Sequence, residues 1–293
     1  MIKRLLKGGL ILQLLFSCSN NKNNEEISSV TPAQDTTLIE TTYNDESDYS
    51  LPSVVQMSSI FKKEGLKFNE SFLNPTSNLK NYLFASSEIA ALNLGIYSAD
   101  LAYCLFNNQL DKGKDYFKSS RELANKLGLA QPFDKKGITQ RIENNINRVD
   151  SMLYILANLQ SDIDDIIQQE NKEYFKTLIF CGGWLETQYI ALNNILKQPE
   201  VYSLKQKQIE QLLILKDLLK ILRHFETQEP SSTTIIQKFS TIENKVQNLP
   251  ILNNLYFNSE RIENEIPQDT LKKINFKELQ SIISTTRNEF VNP

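Results

Sequence analysis

Apolar residues recur along this chain at the spacing of a helix, and that periodicity bounds the fold more tightly than any other feature. Ile138, Ile142, Ile146, Val149, Leu153 and Leu156 step by four, four, three, four and three. Such steps line one face of a helix. Leu212, Leu215, Leu219 and Leu222 repeat the pattern, and Ile214, Leu218, Ile221 and Phe225 widen the stripe. A stripe that wide predicts a helix buried on more than one side. No run of period-two alternation competes with it. Only 9 Gly and 9 Pro punctuate the 293 residues. A turn-rich sandwich or propeller needs punctuation roughly every 8–12 residues.

The spacing predicts helices near 53–64, 77–107, 111–127, 136–158, 161–196, 203–225, 232–248 and 275–291. The stretch 250–274 reads as loop-like, with a short helix at 259–264. Short connections favour antiparallel neighbours. The expected fold is therefore all-α, an irregular antiparallel helical bundle or a helical-hairpin array. Leu94-Gly95 with Tyr97, followed by DKGKDYFKSSRELANKLG at 111–128, has a tetratricopeptide flavour. No second copy follows at that family's period, and an array needs about three units to bury a continuous core.

The first residues read as an address rather than as structure. Lys3, Arg4 and Lys7 precede an apolar run from Leu10 to Phe16. That run is shorter than the roughly 20 residues that span a bilayer, and it suits the apolar region of a signal peptide. It ends in Leu15-Phe16-Ser17-Cys18, which resembles the bacterial lipobox. The resemblance implies cleavage before Cys18 and lipidation of its thiol. Two or more acyl chains anchor stably where one gives only marginal binding. Residues 1–17 are then signal peptide, 18–52 lipidated Cys and tether, and 53–293 a single helical domain. The tether is rich in Asn, Ser, Thr, Asp and Glu and has no amphipathic period. It buries too little apolar area to offset its ordering entropy, and as a coil it reaches on the order of 30 Å.

Removing residues 1–17 takes three of the 32 basic side chains and no acid, leaving 29 against 35 acidic ones, about −6 in net charge. No basic block remains, so nucleic acid is not an expected partner. The lone histidine, His224, excludes a multi-histidine metal site. It stands near the end of a long amphipathic segment, where a C-terminal capping role is the simple account. Gly-x-Gly-x-x-Gly, Gly-x-Ser-x-Gly and Cys-x-x-Cys are absent. No catalytic residue, cofactor or metal is therefore expected.

Two segments hold the residues of interest. In 88–104, Ala91, Gly95 and Ala99 form a small-residue stripe that lets another backbone approach, and Glu88 opens the segment. Asp100 sits in an apolar stretch within a turn of Tyr97, Tyr103 and Cys104. A carboxylate there must be exposed or paired. In 180–189, Gly182 and Gly183 interrupt a strongly helical pattern, at about 1 kcal/mol each relative to Ala. Trp184, Glu186 and Tyr189 follow. The two glycine faces are expected to pack together, bringing Asp100 or Glu88 near Glu186. Such a cluster is either structural or a polar pocket. Paired carboxylates near tyrosines are also the equipment of acid–base hydrolysis or sugar binding. Cys104 and Cys181 lie on the same segments and are either buried thiols or a disulfide.

The lipobox with its Asn-rich tether, GIYSADLAY at 95–103, ELANKLG at 122–128 and CGGWLE at 181–186 resemble a group of helical outer-membrane lipoproteins of Bacteroidota. Lys22 with Glu25 and Glu26 resembles the signal that sends such lipoproteins to the cell surface. The resemblance implies an envelope location, periplasmic or surface-facing, and a helical fold. It implies no activity. The function expected from sequence is a lipid-anchored, non-enzymatic module that binds an envelope protein partner or a small ligand. The alternatives are a hydrolase using helix-borne carboxylates and tyrosines, and a tetratricopeptide-like scaffold.

Overall fold

The computed structural model describes residues 53–292 apart from 136, 146–147 and 259–264, all within one compact unit, Thr41–Pro293. The expected signal peptide, the lipidated Cys18, the tether and the short helix at 259–264 lie outside the described residues. Among the described residues the fold is all-α, with helices and no strand.

Two apolar helices form the centre. α3 (Ser87–Phe106) starts at Ser86, whose hydroxyl accepts the Ile89 N–H at 3.3 Å. α7 (Glu173–Lys197) crosses it. Around them lie α1 (Val54–Lys63), α4 (Leu110–Lys126), α6 (Val149–Gln169), α8 (Tyr202–His224) and α12 (Phe276–Val291). α9 (Ser232–Gln247) packs on α8 and α12. α3 is apolar and long enough to cross a membrane, with a mean hydropathy of 1.4, yet 83% of that window is buried inside the fold. Its apolar surface is spent on protein contacts.

α4 folds back along α3, with Gly113 beside Leu105 and Tyr116 against Tyr97. That is the antiparallel hairpin expected of a short connection. The central pair differs. Leu92 meets Gly182, Gly95 meets Gly183 and Asp100 meets Glu186, the same order along both helices. α3 is thus enclosed by α1, α7 and α12 from distant parts of the chain. A repeat array, whose hairpins meet only their neighbours, does not pack this way.

Several boundaries depart from the periodicity. The segment 77–107 divides at Ala85 and Ser86 into α2 (Leu79–Phe84) and α3. In the apolar series from Ile138 to Leu156, Ile138 and Ile142 belong to α5 (Ile138–Asn144) and Val149, Leu153 and Leu156 to α6, separated where Arg148 is extended, while Ile146 lies outside the described residues. α6 continues past residue 160 and stops at Asn171, which adopts a left-handed φ of 53°. Lys172 N–H then reaches Ile167 O at 2.9 Å, and Asn171 N–H reaches Gln168 O. This is a complete Schellman ending with Asn in place of Gly. Asn108 ends α3 in the same way. The stretch 250–274, expected as loop, holds α10 (Pro250–Asn258), which opens on a proline, and α11 (Gln268–Lys273). Proline fits the first helical position because no partner exists there for its missing N–H.

Candidate functional site

The glycine faces pack as their spacing predicts. A Cβ built on Gly95 falls 1.9 Å from Ile179 O, and one on Gly182 falls 1.9 Å from Leu92 O. The two backbones touch here, so the faces close on each other and leave no pocket. A Cβ on Gly183 would meet the Val54 side chain at 2.2 Å. Trp184, fully buried, points away towards α8 and α9, donating to Gln211 O at 3.0 Å and packing on Phe239.

Beside this crossing lies a buried polar cluster. Glu186 and Asp100 are both 0% exposed. Arg287, from α12, donates to Glu186 through Nε at 2.5 Å and Nη2 at 2.8 Å. Its guanidinium also stacks 4.2 Å from the Tyr189 ring centroid. Asp100 Oδ2 accepts the Asn74 N–H at 3.1 Å, while Oδ1 has no partner of that kind among the described residues. Glu186 is the neighbouring charge that bears on it.

One cation thus faces two buried carboxyls, and the geometry decides which of them ionises. Burial pushes Asp100 well above the usual carboxylate range, and the Glu186 charge pushes the same way. Burial also raises Glu186, but the charge and hydrogen bonds of Arg287 oppose it. Asp100 is therefore the carboxyl pushed towards its protonated form, and Glu186 is the one that Arg287 favours as the ion. Because folding raises the Asp100 carboxyl, its contribution is whole below the ordinary value of 3.8 and is lost as pH rises towards the folded value. The change is about 1.4 kcal/mol per pH unit over that window. Asp100→Asn replaces the acid by an amide of similar shape that has N–H donors but no titratable proton. Denaturation from about pH 4 to about pH 9 should show wild-type stability falling relative to this variant. Parallel curves would mean that Asp100 is ionised in the folded protein.

The surrounding groups are fastened to backbone. Tyr97 donates to Pro75 O at 2.9 Å, Tyr82 to Val291 O at 2.9 Å and Tyr116 to Asn74 O at 2.9 Å. Tyr103 donates to Lys67 O at 2.6 Å, and burial pushes its hydroxyl up to about 12. The bonds from Tyr97, Tyr103 and Tyr116 pin the segment 66–78 to the bundle, and that from Tyr82 ties α2 to α12. Glu88 does not join the cluster. It lies at the start of α3 and accepts the Ser231 hydroxyl at 2.7 Å, which corrects the alternative that paired it with Glu186. Cys104 and Cys181 are buried free thiols, both raised by burial. His224 is exposed in the last turn of α8, its ring edge-on to Phe225. Among the described residues no three His, Cys, Asp or Glu side chains group as metal ligands would.

The cluster can hold a structure together but cannot meet a substrate. Both carboxyls are sealed, and the tyrosines are committed donors. The arrangement that acid–base hydrolysis needs, carboxyls open to a cleft, is not present at these residues. Arg287 and Asn74 complete the cluster and escaped the sequence reading. The spacing Ile283, Arg287, Phe290 puts the arginine on the apolar face of α12, and that was the available signal.

A cleft does exist on the other side of α3. It is a partly open cavity of about 120 Å³ enclosed by α1, α3, α4, α6 and α7. Leu94, Leu101, Phe133, Leu159, Ile179 and Phe180 make its walls mainly apolar. Ser98, Ser120 and Gln160 add polar atoms, and Asp164 and Lys176 meet at 3.5 Å where it approaches solvent. Ligand sites are typically concave, mostly apolar and furnished with a few such groups. The residues come from five helices and, for Phe133, from the α4–α5 connection, so no local motif announces them. The chain matches no protein-family model, no curated protein and no solved structure.

Proposed function

We propose that this protein is a lipid-anchored envelope protein whose helical domain binds a small apolar ligand without turning it over. The observation that carries the binding reading is the cavity against α3, a mainly apolar space within the bundle. Interiors of folded proteins leave few voids larger than a water molecule. An open space walled by leucine, isoleucine and phenylalanine is the kind that takes apolar guests. The sealed carboxyls beside α7 favour binding over hydrolysis. Toluene is a suitable probe. It should raise the thermal midpoint and shift methyl resonances of the leucines and isoleucines lining the cavity, and Leu159→Phe, which fills the space, should abolish both. Toluene without effect on either would remove the reading.

The anchor rests on the sequence: a basic start, a short apolar run and a small residue before Cys18. With the resemblance to Bacteroidota lipoproteins, these favour the outer membrane, on its periplasmic or surface face. Expressed in a bacterium that processes lipoproteins, the wild-type chain should fractionate with membranes, and Cys18→Ala should be released. Membrane association unchanged in Cys18→Ala would sink the lipid anchor.

A further inference from the structure

We infer that the ligand of this cavity is a neutral molecule the size of a single ring, bearing a hydroxyl that pairs with Ser120. The inference rests on the binding reading above and adds the ligand's chemistry.

Size comes first. About 120 Å³ is close to the roughly 150 Å³ of an engineered apolar cavity that takes benzene. A long acyl chain does not fit.

Charge comes second. Among the described residues, the charged lining groups Asp164 and Lys176 are paired with each other at 3.5 Å. A carboxylate ligand would compete with Asp164 for Lys176, and an ammonium ligand would compete with Lys176 for Asp164. Neither ion finds an unpaired counter-charge in the walls, so the site favours an uncharged guest.

The polar group comes third. Several serines and threonines inside these helices return their hydroxyls to the backbone four residues earlier: Ser98 to Leu94 O, Ser119 to Asp115 O, Thr177 to Glu173 O and Thr187 to Gly183 O. Ser120 does not. It is 2% exposed, its Oγ has no hydrogen-bond partner among the described residues, and it lines the cavity. Buried hydroxyls are ordinarily satisfied, and an exception calls for a partner that occupies the space beside it. A hydroxyl is the smallest group that both donates and accepts, matching the unused proton and lone pairs of Ser120. Ser98 Oγ, which lines the cavity from α3, keeps lone pairs free.

Phenol, toluene and benzoate separate the terms. Binding of each to the full helical protein is followed by calorimetry, with wild type and Ser120→Ala compared. Alanine is well tolerated in a helix interior, and a matching thermal midpoint without ligand confirms the fold. Ser120→Ala should weaken phenol about tenfold and leave toluene unchanged or tighter, while benzoate should bind more weakly than phenol to both proteins. Equal effects of Ser120→Ala on phenol and toluene, or no effect on either, would overturn the hydroxyl pairing with the cavity reading intact. Benzoate binding tighter than phenol would overturn the neutral ligand. Failure of all three to bind would overturn the cavity reading itself.

Discussion

Gly95→Ala and Gly182→Ala should each destabilise the protein by more than about 4 kcal/mol, or prevent folding, although alanine is the better helix former. Intrinsic propensity alone predicts a gain of about 1 kcal/mol for either change. The tertiary term is larger and of opposite sign. Each new methyl would sit 1.9 Å from a carbonyl oxygen of the facing helix. No rotamer choice relieves such a contact, because both partners are backbone. α3 and α7 must separate, and every apolar contact along the crossing loosens with them. Effects above about 4–5 kcal/mol are exceptional for one substitution and have a short list of causes, of which core overpacking is one. Gly183→Ala is the internal control. Its methyl meets Val54 Cγ2 at 2.2 Å, a side chain rather than a carbonyl. It should be milder, and Val54→Ala should rescue it. Urea denaturation measures all three, and a Gly182→Ala protein as stable as wild type would show that the helices do not touch there.

Arg287→Met should cost about 3–5 kcal/mol, the usual penalty for stripping one partner from a buried ion pair. Glu186 is 0% exposed and has no route to water. Without the guanidinium it must either stay charged in an apolar core or take up a proton at neutral pH, and both are unfavourable. Adding Glu186→Gln should recover much of the loss, since removing both charges leaves neither ion stranded. The two substitutions should therefore be strongly non-additive. An Arg287→Met variant within about 1 kcal/mol of wild type would place the pair in contact with solvent.

Much of this fold is legible locally, and the misses have identifiable causes. Periodicity finds the long helices because burial of one face imposes a 3.6-residue repeat on the chain itself. It fails at the end of α6, where Asn171 takes the left-handed turn more often given to glycine. In a chain this rich in Asn, that residue does not stand out. It also ran across the gap between α5 and α6, because the apolar spacing stays in phase on both sides of it. The pairing of Asp100 with Glu186 was legible, since the small-residue faces point to a close crossing. Arg287 was not, because an arginine in a helix ordinarily reads as a solvated residue.

By itself, then, the sequence determined the helical class and the touching glycine faces. It also brought two acids to one crossing. Each of these follows from residues a few positions apart on one helix. The tertiary structure decided the rest: that the acids are sealed and Glu186 is paired with Arg287 of α12, that Ser120 Oγ has no hydrogen-bond partner among the described residues, and that the free space lies across α3 from the polar cluster. Those outcomes depend on five or more helices meeting from distant positions, and no local spacing encodes where such helices leave a gap.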